Sequence, residues 1–173
     1  SYIAESPLRV GLLYVGADDG MFHVSMDGGE TFANITDNFP RLPDNAWVNG
    51  IEPSSFNEGT VYAVFDNHRS DDYENHIYRS TDYGRTWVSI VGDMPARRVA
   101  RAIKEDSRNP NLLYVAAELG FWISIDGGGH WVELRGRIPK IQARDLHIQR
   151  PWNDLVVGTF GRGIYILDDY SEI

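Results

Sequence analysis

The sequence predicts an all-β protein built from blades of a β-propeller, each blade a sheet of four antiparallel strands. Two observations support this prediction. A turn motif of the form S-x-D-x-G-x-T-W recurs at residues 25–32, 80–87 and 124–131, and short β-rich segments separated by Gly, Pro, Asn and Asp precede each copy in the same order. A β-sandwich is the alternative, but it would not explain why the turn returns at one position in every repeat.

Each copy of the motif has the chemistry of a tight hairpin turn. The aspartate side chain accepts hydrogen bonds from N–H groups of the turn, and the glycine two residues later adopts a backbone angle that other residues avoid. The third copy has His130 where threonine is usual, and the first ends in Phe32 instead of tryptophan. The residues to which we assign a structural role are Ser25, Asp27, Gly29, Ser80, Asp82, Gly84, Trp87, Ser124, Asp126, Gly128 and Trp131.

The spacing of the turns divides the chain into repeats. Asp27, Asp82 and Asp126 are separated by 55 and 44 residues, which fits four strands per repeat. The predicted blades span residues 1–39, 40–92, 93–136 and 137–170 of one domain, 1–173. Because the last repeat lacks the turn, we expect three complete blades and a three-stranded fourth. Such an arc has an unpaired edge, and we predict that the rest of a larger propeller or self-association covers it.

Composition and charge argue against several classes of function. The chain has 173 residues, the size of one domain, and no run of apolar residues long enough to span a membrane. Its 25 acidic and 16 basic residues give a net charge of −9, which argues against binding to nucleic acid because phosphates require a basic surface. Without cysteine, it has no disulfide and no thiolate metal site.

The repeated turns resemble the Asp-box, or BNR, repeat of sialidase-like and sortilin-type propellers. The resemblance extends over nearly the whole chain, through residues 12–20, 78–87, 112–120 and 158–169, to large bacterial proteins described as BNR-repeat glycosyl hydrolases or sortilin-like propellers. It implies the last arc of a bigger propeller in an exported protein, either extracellular or periplasmic. Glycosidases, lectin-like modules and peptide receptors all contain the repeat, so it indicates the fold more strongly than the function.

Propeller geometry assigns the loops to two rims. The Asp-box turns share one rim with the bends that follow the first strands. The turns between second and third strands, and the links between blades, lie on the opposite rim, which we call the upper rim. Ligands bind where loops of several blades converge, and aromatic and charged groups there suit a sugar or a peptide. The candidate ligand-binding residues are Trp47, His68, Arg69, Arg98, Phe160 and Arg162.

An insertion of about ten residues, 66–75, is predicted as the longest loop of the upper rim, and long loops are often functional. Within it, His68, Asp71 and Asp72 are candidate ligands for calcium, and a solvated polar loop is the alternative. No other cofactor is predicted. Glycoside hydrolysis requires two carboxylates about 5 to 10 Å apart. The candidate catalytic carboxylates are Asp18, Asp19, Asp71, Asp72 and Glu118.

The leading hypothesis is a non-catalytic propeller module that binds carbohydrate or peptide, or serves as a scaffold, within a larger exported bacterial protein. The alternative is a segment of a BNR-repeat glycoside hydrolase with paired carboxylates on the upper rim. Two carboxylates from different blades that face one cleft would favour the enzyme, and binding without turnover would favour the module. The sequence leaves open whether this chain is an enzyme.

Overall fold

The computed structural model describes residues 1–134 and 142–170. These residues form fifteen β-strands in four antiparallel sheets, three with four strands and one with three. The prediction of an all-β fold with three complete blades and a three-stranded fourth is therefore confirmed. The complete helical elements in the described ranges are short 3-10 turns at Thr36–Asn38 and His68–Ser70. None of these turns has the length or the hydropathy to cross a membrane.

Each sheet contains strands that are consecutive in the chain. The first blade comprises β1 (Tyr2–Glu5), β2 (Leu13–Gly16), β3 (Phe22–Ser25) and β4 (Ala33–Asn34). The second comprises β5 (Trp47–Pro53), β6 (Val61–Asn67), β7 (Asp72–Ser80) and β8 (Val88–Ser89). The third comprises β9 (Ala100–Glu105), β10 (Leu113–Ala117), β11 (Gly120–Ser124) and β12 (Val132–Glu133). The fourth comprises β13 (Ala143–Gln149), β14 (Asp154–Thr159) and β15 (Ile164–Leu167).

The blades stack side by side with their first strands along a common inner wall. Strand β1 contacts β5, β5 contacts β9, and β9 contacts β13. Three clusters of buried apolar side chains fill the interfaces between successive blades. In the first interface, Phe39 stacks on Trp87 with ring centroids 4.3 Å apart, and Phe22 packs edge-on against both rings. Burial of these rings removes apolar area from water and stabilises the arrangement of neighbouring blades.

The three repeated turns share one set of hydrogen bonds. In the first turn, Ser25 Oγ donates to Asp27 Oδ1 (2.8 Å) and accepts the N–H of Gly29 (2.8 Å), while Asp27 Oδ1 accepts the N–H of Thr31 (2.9 Å). The same contacts recur in the second and third turns. They satisfy the N–H groups of each tight turn, as the motif predicts.

The repeated turns lie on the same rim as the bends that follow the first strands. The turn residue directly after the motif aspartate donates its N–H to the bend in every complete blade: Gly28 to the carbonyl oxygen of Gly11 (2.9 Å), Tyr83 to that of Gly59 (2.9 Å) and Gly127 to that of Asn111 (2.8 Å). The upper rim is thus formed by the turns between second and third strands and by the links between blades.

The predicted loop at residues 66–75 is mostly strand, which corrects the sequence-based expectation. Strand β6 continues to Asn67 and β7 begins at Asp72, so the turn between them covers only residues 68–71. Some polar side chains of the insertion are satisfied within the hairpin, where the Asp72 carboxylate accepts from Asn67 Nδ2 (3.3 Å) and lies 2.8 Å from His76 Nε2. These contacts allow a polar sequence to form a long hairpin. The predicted boundary between blades three and four, at residues 136 and 137, lies outside the described residues, and the other boundaries stay predictions.

Candidate functional site

A charged network on the upper rim joins blades two, three and four. At its centre the guanidinium of Arg101, the second residue of β9, binds the carboxylate of Asp66 and that of Glu118. Asp66 lies near the end of β6, and Glu118 lies in the turn between β10 and β11. Gln142, directly before β13, donates from Nε2 to Glu118 Oε1 (3.1 Å). We call Asp66, His68, Arg101, Glu118 and Gln142 the rim network.

Exposure changes along this network from a buried to an accessible end. The side chain of Asp66 is 2% exposed, that of Arg101 is 12% exposed and that of Glu118 is 40% exposed. Burial alone would raise the pKa of Asp66, but hydrogen bonds from the backbone N–H and the ring of His68, with the charge of Arg101, lower it overall. Asp66 is therefore ionised and held in place, and Glu118 is the carboxylate of the pair that solvent reaches.

Arginine side chains cover aromatic rings at four places on the upper rim. Such stacking is attractive because the ring face is electron-rich, and it holds the planar guanidinium in one orientation. The distances from guanidinium carbon to ring centroid are 3.5 Å for Arg69 and Trp47, 5.3 Å for Arg97 and Tyr73, 5.9 Å for Arg98 and Trp122, and 4.8 Å for Arg144 and Phe160.

The structure brings together three of the predicted ligand-binding residues. Trp47, His68 and Arg69 line a small cleft of 120 Å³ beside the buried end of the rim network. Arg98 lies at the accessible end of the rim network, where the Arg98 carbonyl oxygen accepts the N–H of Glu118 (2.8 Å). Phe160 is adjacent to this end as well, because its N–H donates to the carbonyl oxygen of Gln142 (2.9 Å).

Arg162, the last predicted ligand-binding residue, is exposed in the turn between β14 and β15. Phe160 lies in the same turn and is 66% exposed. This turn therefore presents an arginine and an aromatic ring to solvent on the upper rim of blade four.

The predicted catalytic carboxylates are not gathered in one cleft. Asp18 accepts a hydrogen bond from Ser1 Oγ (3.3 Å), and a hydrogen bond from its own backbone lowers its pKa. Asp19 accepts the N–H of Met21 (3.1 Å) and lines a separate cavity of 500 Å³ between blades one and two. Among the five candidates, Glu118 is the one that belongs to the rim network.

The other two candidates belong to the β6–β7 hairpin. Asp71 ends its turn in the left-handed backbone region, with φ 59°. Burial would raise the pKa of Asp72, but hydrogen bonds from the backbone N–H of Glu74 and from His76 lower it overall. Asp66 and Glu118, from blades two and three, meet through Arg101.

No cluster of three or more His, Asp or Glu side chains in residues 1–134 and 142–170 has the arrangement of a metal site. Of the predicted calcium ligands, His68 contacts Asp66 through Nδ1 (2.7 Å), and Asp72 contacts His76. The calcium ion stays a prediction without a supporting cluster.

Sequence reasoning missed Arg101 and the charges of the inner wall. Lys104 Nζ lies 2.6 Å from Glu52 Oε2, and both line a cavity of 330 Å³ that Arg150 also borders. Burial alone would lower the pKa of Lys104, but the Glu52 carboxylate raises it overall. The available signal was the placement of charged residues within a mostly buried strand, since Arg101 and Lys104 are the less buried positions of β9.

The fold and the rim define a β-propeller-type protein whose upper rim carries charged and aromatic groups from several blades. No protein-family model matches the chain. It is 30% identical over 138 residues to a xyloglucanase of Hypocrea jecorina, covering 70% of this chain and 16% of that enzyme. It is 26% identical over 162 residues to a xyloglucanase of a Paenibacillus species, covering 90% of this chain and 15% of that enzyme.

Solved structures show the same fold. A GH74 enzyme of Niastella koreensis superposes with a TM-score of 0.74 at 16% identity, covering 99% of this chain and 29% of that chain. YCF48 bound to D1 peptide superposes with a TM-score of 0.66 at 15% identity, covering 98% of this chain and 55% of that chain. The chain thus has a propeller-type fold related to glycoside hydrolases, and it spans about a sixth of the length of the xyloglucanases that it matches.

Proposed function

We propose that this chain is an arc of a glycoside-hydrolase propeller and that its upper rim binds xyloglucan or a related polysaccharide. The observation that carries the proposal is the sequence similarity to xyloglucanases over 70 to 90% of the chain. This similarity favours the hydrolase segment over the non-catalytic module that was the leading hypothesis from sequence.

The geometry of the rim supports a role in holding a saccharide. Trp47 and Phe160 offer ring surface to the apolar faces of sugar rings, and Glu118 and Gln142 offer a hydrogen-bond acceptor and a donor to hydroxyl groups. Arg101 holds Glu118 in place between blades three and four. The described rim therefore supplies the mixture of ring faces and fixed polar groups that sugar binding requires.

We assign Asp66 and Asp72 to positioning neighbouring side chains. A general acid in glycoside hydrolysis needs a pKa that is raised toward the working pH. The pKa values of Asp66 and Asp72 are both lowered, because arginine and histidine groups and backbone N–H groups stabilise the ionised forms. These two carboxylates are suited to fixing Arg101, His68 and His76, and less suited to donating a proton.

We also propose that the chain is part of a larger propeller and that this larger protein is exported. The rest of a larger propeller would cover the open edges of the first and fourth blades, and the complete protein would act outside the cytoplasm, in an extracellular or periplasmic location. Exposed apolar side chains on the strands at the two ends of the arc support the proposal that further blades cover these ends; they include Ile3 in β1 and both Ile164 and Ile166 in β15.

The test is affinity electrophoresis of the full chain in gels that contain xyloglucan. We expect retardation, and we expect Trp47→Ala and Glu118→Gln each to weaken binding by about tenfold or more, since one well-placed contact is worth about 1.4 kcal/mol. Glu58→Gln is the matched control, because the Glu58 side chain is 39% exposed and pairs with an arginine on the opposite rim. No retardation, or equal effects of Glu118→Gln and Glu58→Gln, would contradict the proposal.

A second candidate function is the binding of an extended peptide. It is favoured by the similar fold of YCF48, whose structure contains D1 peptide. The same aromatic and charged groups can hold peptide side chains and carbonyl groups. Competition separates the two functions: an unlabelled xyloglucan oligosaccharide that does not displace a bound peptide, together with no retardation in xyloglucan gels, would favour the peptide.

A further inference from the structure

The upper rim of blades three and four carries arginines that have no acidic partner in the described part of the chain. Within the described residues, the arginines in salt bridges are Arg9, on the opposite rim, and Arg101. The two carboxylates of the rim network both bind Arg101. Arg98, Arg144 and Arg162 therefore have no carboxylate within 4 Å in the described ranges, although the chain as a whole has a net charge of −9.

Two of these arginines flank the accessible end of the rim network. Arg98 is linked to Glu118, which donates its backbone N–H to the Arg98 carbonyl oxygen (2.8 Å). Glu118 is linked to Gln142 through the amide Nε2 (3.1 Å), and the carbonyl oxygen of Gln142 accepts the N–H of Phe160 (2.9 Å). Arg144 lies over the Phe160 ring at 4.8 Å. A continuous set of contacts thus runs from Arg98 to Arg144 across the two blades.

Stacking on aromatic rings leaves the hydrogen-bond donors of these arginines available. The guanidinium carbon of Arg144 lies 4.8 Å from the Phe160 ring centroid and that of Arg98 lies 5.9 Å from the Trp122 ring centroid. Attraction between a cation and a ring uses the charge of the guanidinium and leaves its N–H donors for other partners. Among the described residues, Arg98 Nη1 makes long hydrogen bonds of 3.4 and 3.5 Å to backbone carbonyl oxygens and no shorter one. Each group is therefore oriented before a ligand arrives, which lowers the entropic cost of binding a carboxylate.

We propose that this part of the rim recognises an acidic polysaccharide, with Arg98 and Arg144 binding the carboxylate groups of uronic acid residues. The inference rests on the proposed function, that the upper rim binds a polysaccharide, and adds the chemical class of its ligand. Phe160, 66% exposed beside Arg144, supplies the ring surface against which the sugar packs. A planar guanidinium matches the geometry of a carboxylate and hydrogen-bonds it at two points, which a neutral sugar does not exploit.

The experiment compares three polymers on the full chain by affinity electrophoresis at low and high salt: neutral xyloglucan, polygalacturonate and polyglutamate. We expect polygalacturonate to bind about tenfold more tightly than xyloglucan at low salt, and this preference to fall as salt screens the charges. Polyglutamate carries carboxylates without sugar rings, so we expect it to bind more weakly than polygalacturonate.

Arg98→Gln and Arg144→Gln are each expected to reduce affinity for polygalacturonate by about tenfold, and to reduce it by more than they reduce affinity for xyloglucan. Arg85→Gln, which changes an exposed arginine in the second repeated turn on the opposite rim, is the matched control and is expected to leave both affinities unchanged. Thermal unfolding followed by circular dichroism checks that the variants remain folded.

Each alternative outcome has a distinct meaning. Binding of xyloglucan without a preference for polygalacturonate overturns this inference and leaves the proposed function standing. Binding of neither polysaccharide overturns both. Equal binding of polyglutamate and polygalacturonate overturns recognition of a saccharide in favour of an acidic peptide. If Arg85→Gln and Arg144→Gln lose equal affinity for polygalacturonate, the assignment to this rim is overturned, because diffuse charge would then explain the binding.

Discussion

His130 closes the third repeated turn on Asp126, with its Nδ1 2.6 Å from Asp126 Oδ2 and its backbone N–H 3.0 Å from Asp126 Oδ1. In the other two turns a threonine makes the corresponding contacts through its hydroxyl and its N–H. The residue that departs from the motif therefore reproduces the hydrogen bonds of threonine, but with a group that titrates near neutral pH.

The pKa of His130 is expected to lie above 6.5, because the hydrogen bond and the negative charge of Asp126 raise it. A raised folded-state pKa contributes stability that is complete below the unfolded-state pKa and is lost as pH rises through the folded-state value. An NMR titration of the His130 ring measures the value directly. Asp126→Asn should return the pKa toward 6.5, and His130→Thr should remove this part of the pH dependence. A wild-type pKa at or below 6.5 would contradict the prediction.

Gly128→Ala is expected to lower the free energy of unfolding by about 2 to 4 kcal/mol. A Cβ at this position would lie 2.8 Å from the Cβ of Ile90, a residue of the preceding blade, and Gly128 has φ 100°. Gly28→Ala is the control, because no atom of the described residues lies within 4 Å of the Cβ that alanine would add, and Tyr83 occupies the equivalent motif position with φ 63°. Urea unfolding measures both, and equal losses would contradict a role for contact between blades.

Arg101→Met is expected to cost about 3 to 5 kcal/mol of unfolding free energy, because it leaves the buried Asp66 carboxylate without its cationic partner. Arg101→Lys should recover only part of the loss, since an ammonium group lacks the fork that reaches two carboxylates. Urea unfolding of Arg101→Met, of Arg101→Lys and of the double variant that combines Arg101→Met with Asp66→Asn measures the coupling between Arg101 and Asp66. If the Asp66 change does not reduce the loss in the Arg101→Met background, the two residues are not coupled.

The contribution of the Asp66 charge to the free energy of unfolding should depend on pH in the acid range. Its folded-state pKa is lowered from 3.8, so its stabilising effect is present above pH 3.8 and is lost as pH falls through the folded-state value. The difference in unfolding free energy between wild type and Asp66→Asn should therefore shrink below about pH 3.8. A difference that is constant from neutral to acid pH would show that the Asp66 charge does not contribute.

Tyr62→Phe and Tyr14→Phe are expected to have different effects, although the two tyrosines occupy corresponding positions in β6 and β2. The Tyr62 hydroxyl donates to Glu105 Oε1 (3.1 Å), and Glu105 is 5% exposed. Removal of this hydroxyl should therefore lower the free energy of unfolding by about 1 to 3 kcal/mol. The buried hydroxyl of Tyr14 has no hydrogen-bond partner among the described residues, so Tyr14→Phe should be neutral or stabilising. Equal destabilisation of both variants in urea would contradict this reasoning.

The sequence predicted the blade pattern because the information for each repeated turn is local. The side-chain hydrogen bonds of the first turn connect residues that lie within four positions of one another, from Ser25 to Thr31. The extended hairpin at residues 66–75 was not predicted, because its polar side chains are satisfied partly by distant groups. Asn75 Nδ2, for example, donates to the carbonyl oxygen of Pro95, 20 positions away (2.9 Å).

The candidate site was only partly accessible to sequence reasoning. Assignment of loops to an upper rim placed Trp47, His68 and Arg69 in one group, and these residues line one cleft of the structure. It did not identify Arg101, whose partners Asp66 and Glu118 lie 35 and 17 positions away in the chain. A charged residue in a strand acquires its role from the residues that neighbouring blades place beside it.

The sequence by itself determined the repeated turns, the strands between them and the number of strands in each blade, since hydrogen bonds between near neighbours in the chain specify these features. Only the tertiary structure decided which charges of the described residues are paired with one another and which are not. That outcome depends on how closely β9 packs between β5 and β13, because this packing brings Arg101 to both carboxylates and leaves Arg98 and Arg144 without one in the described ranges.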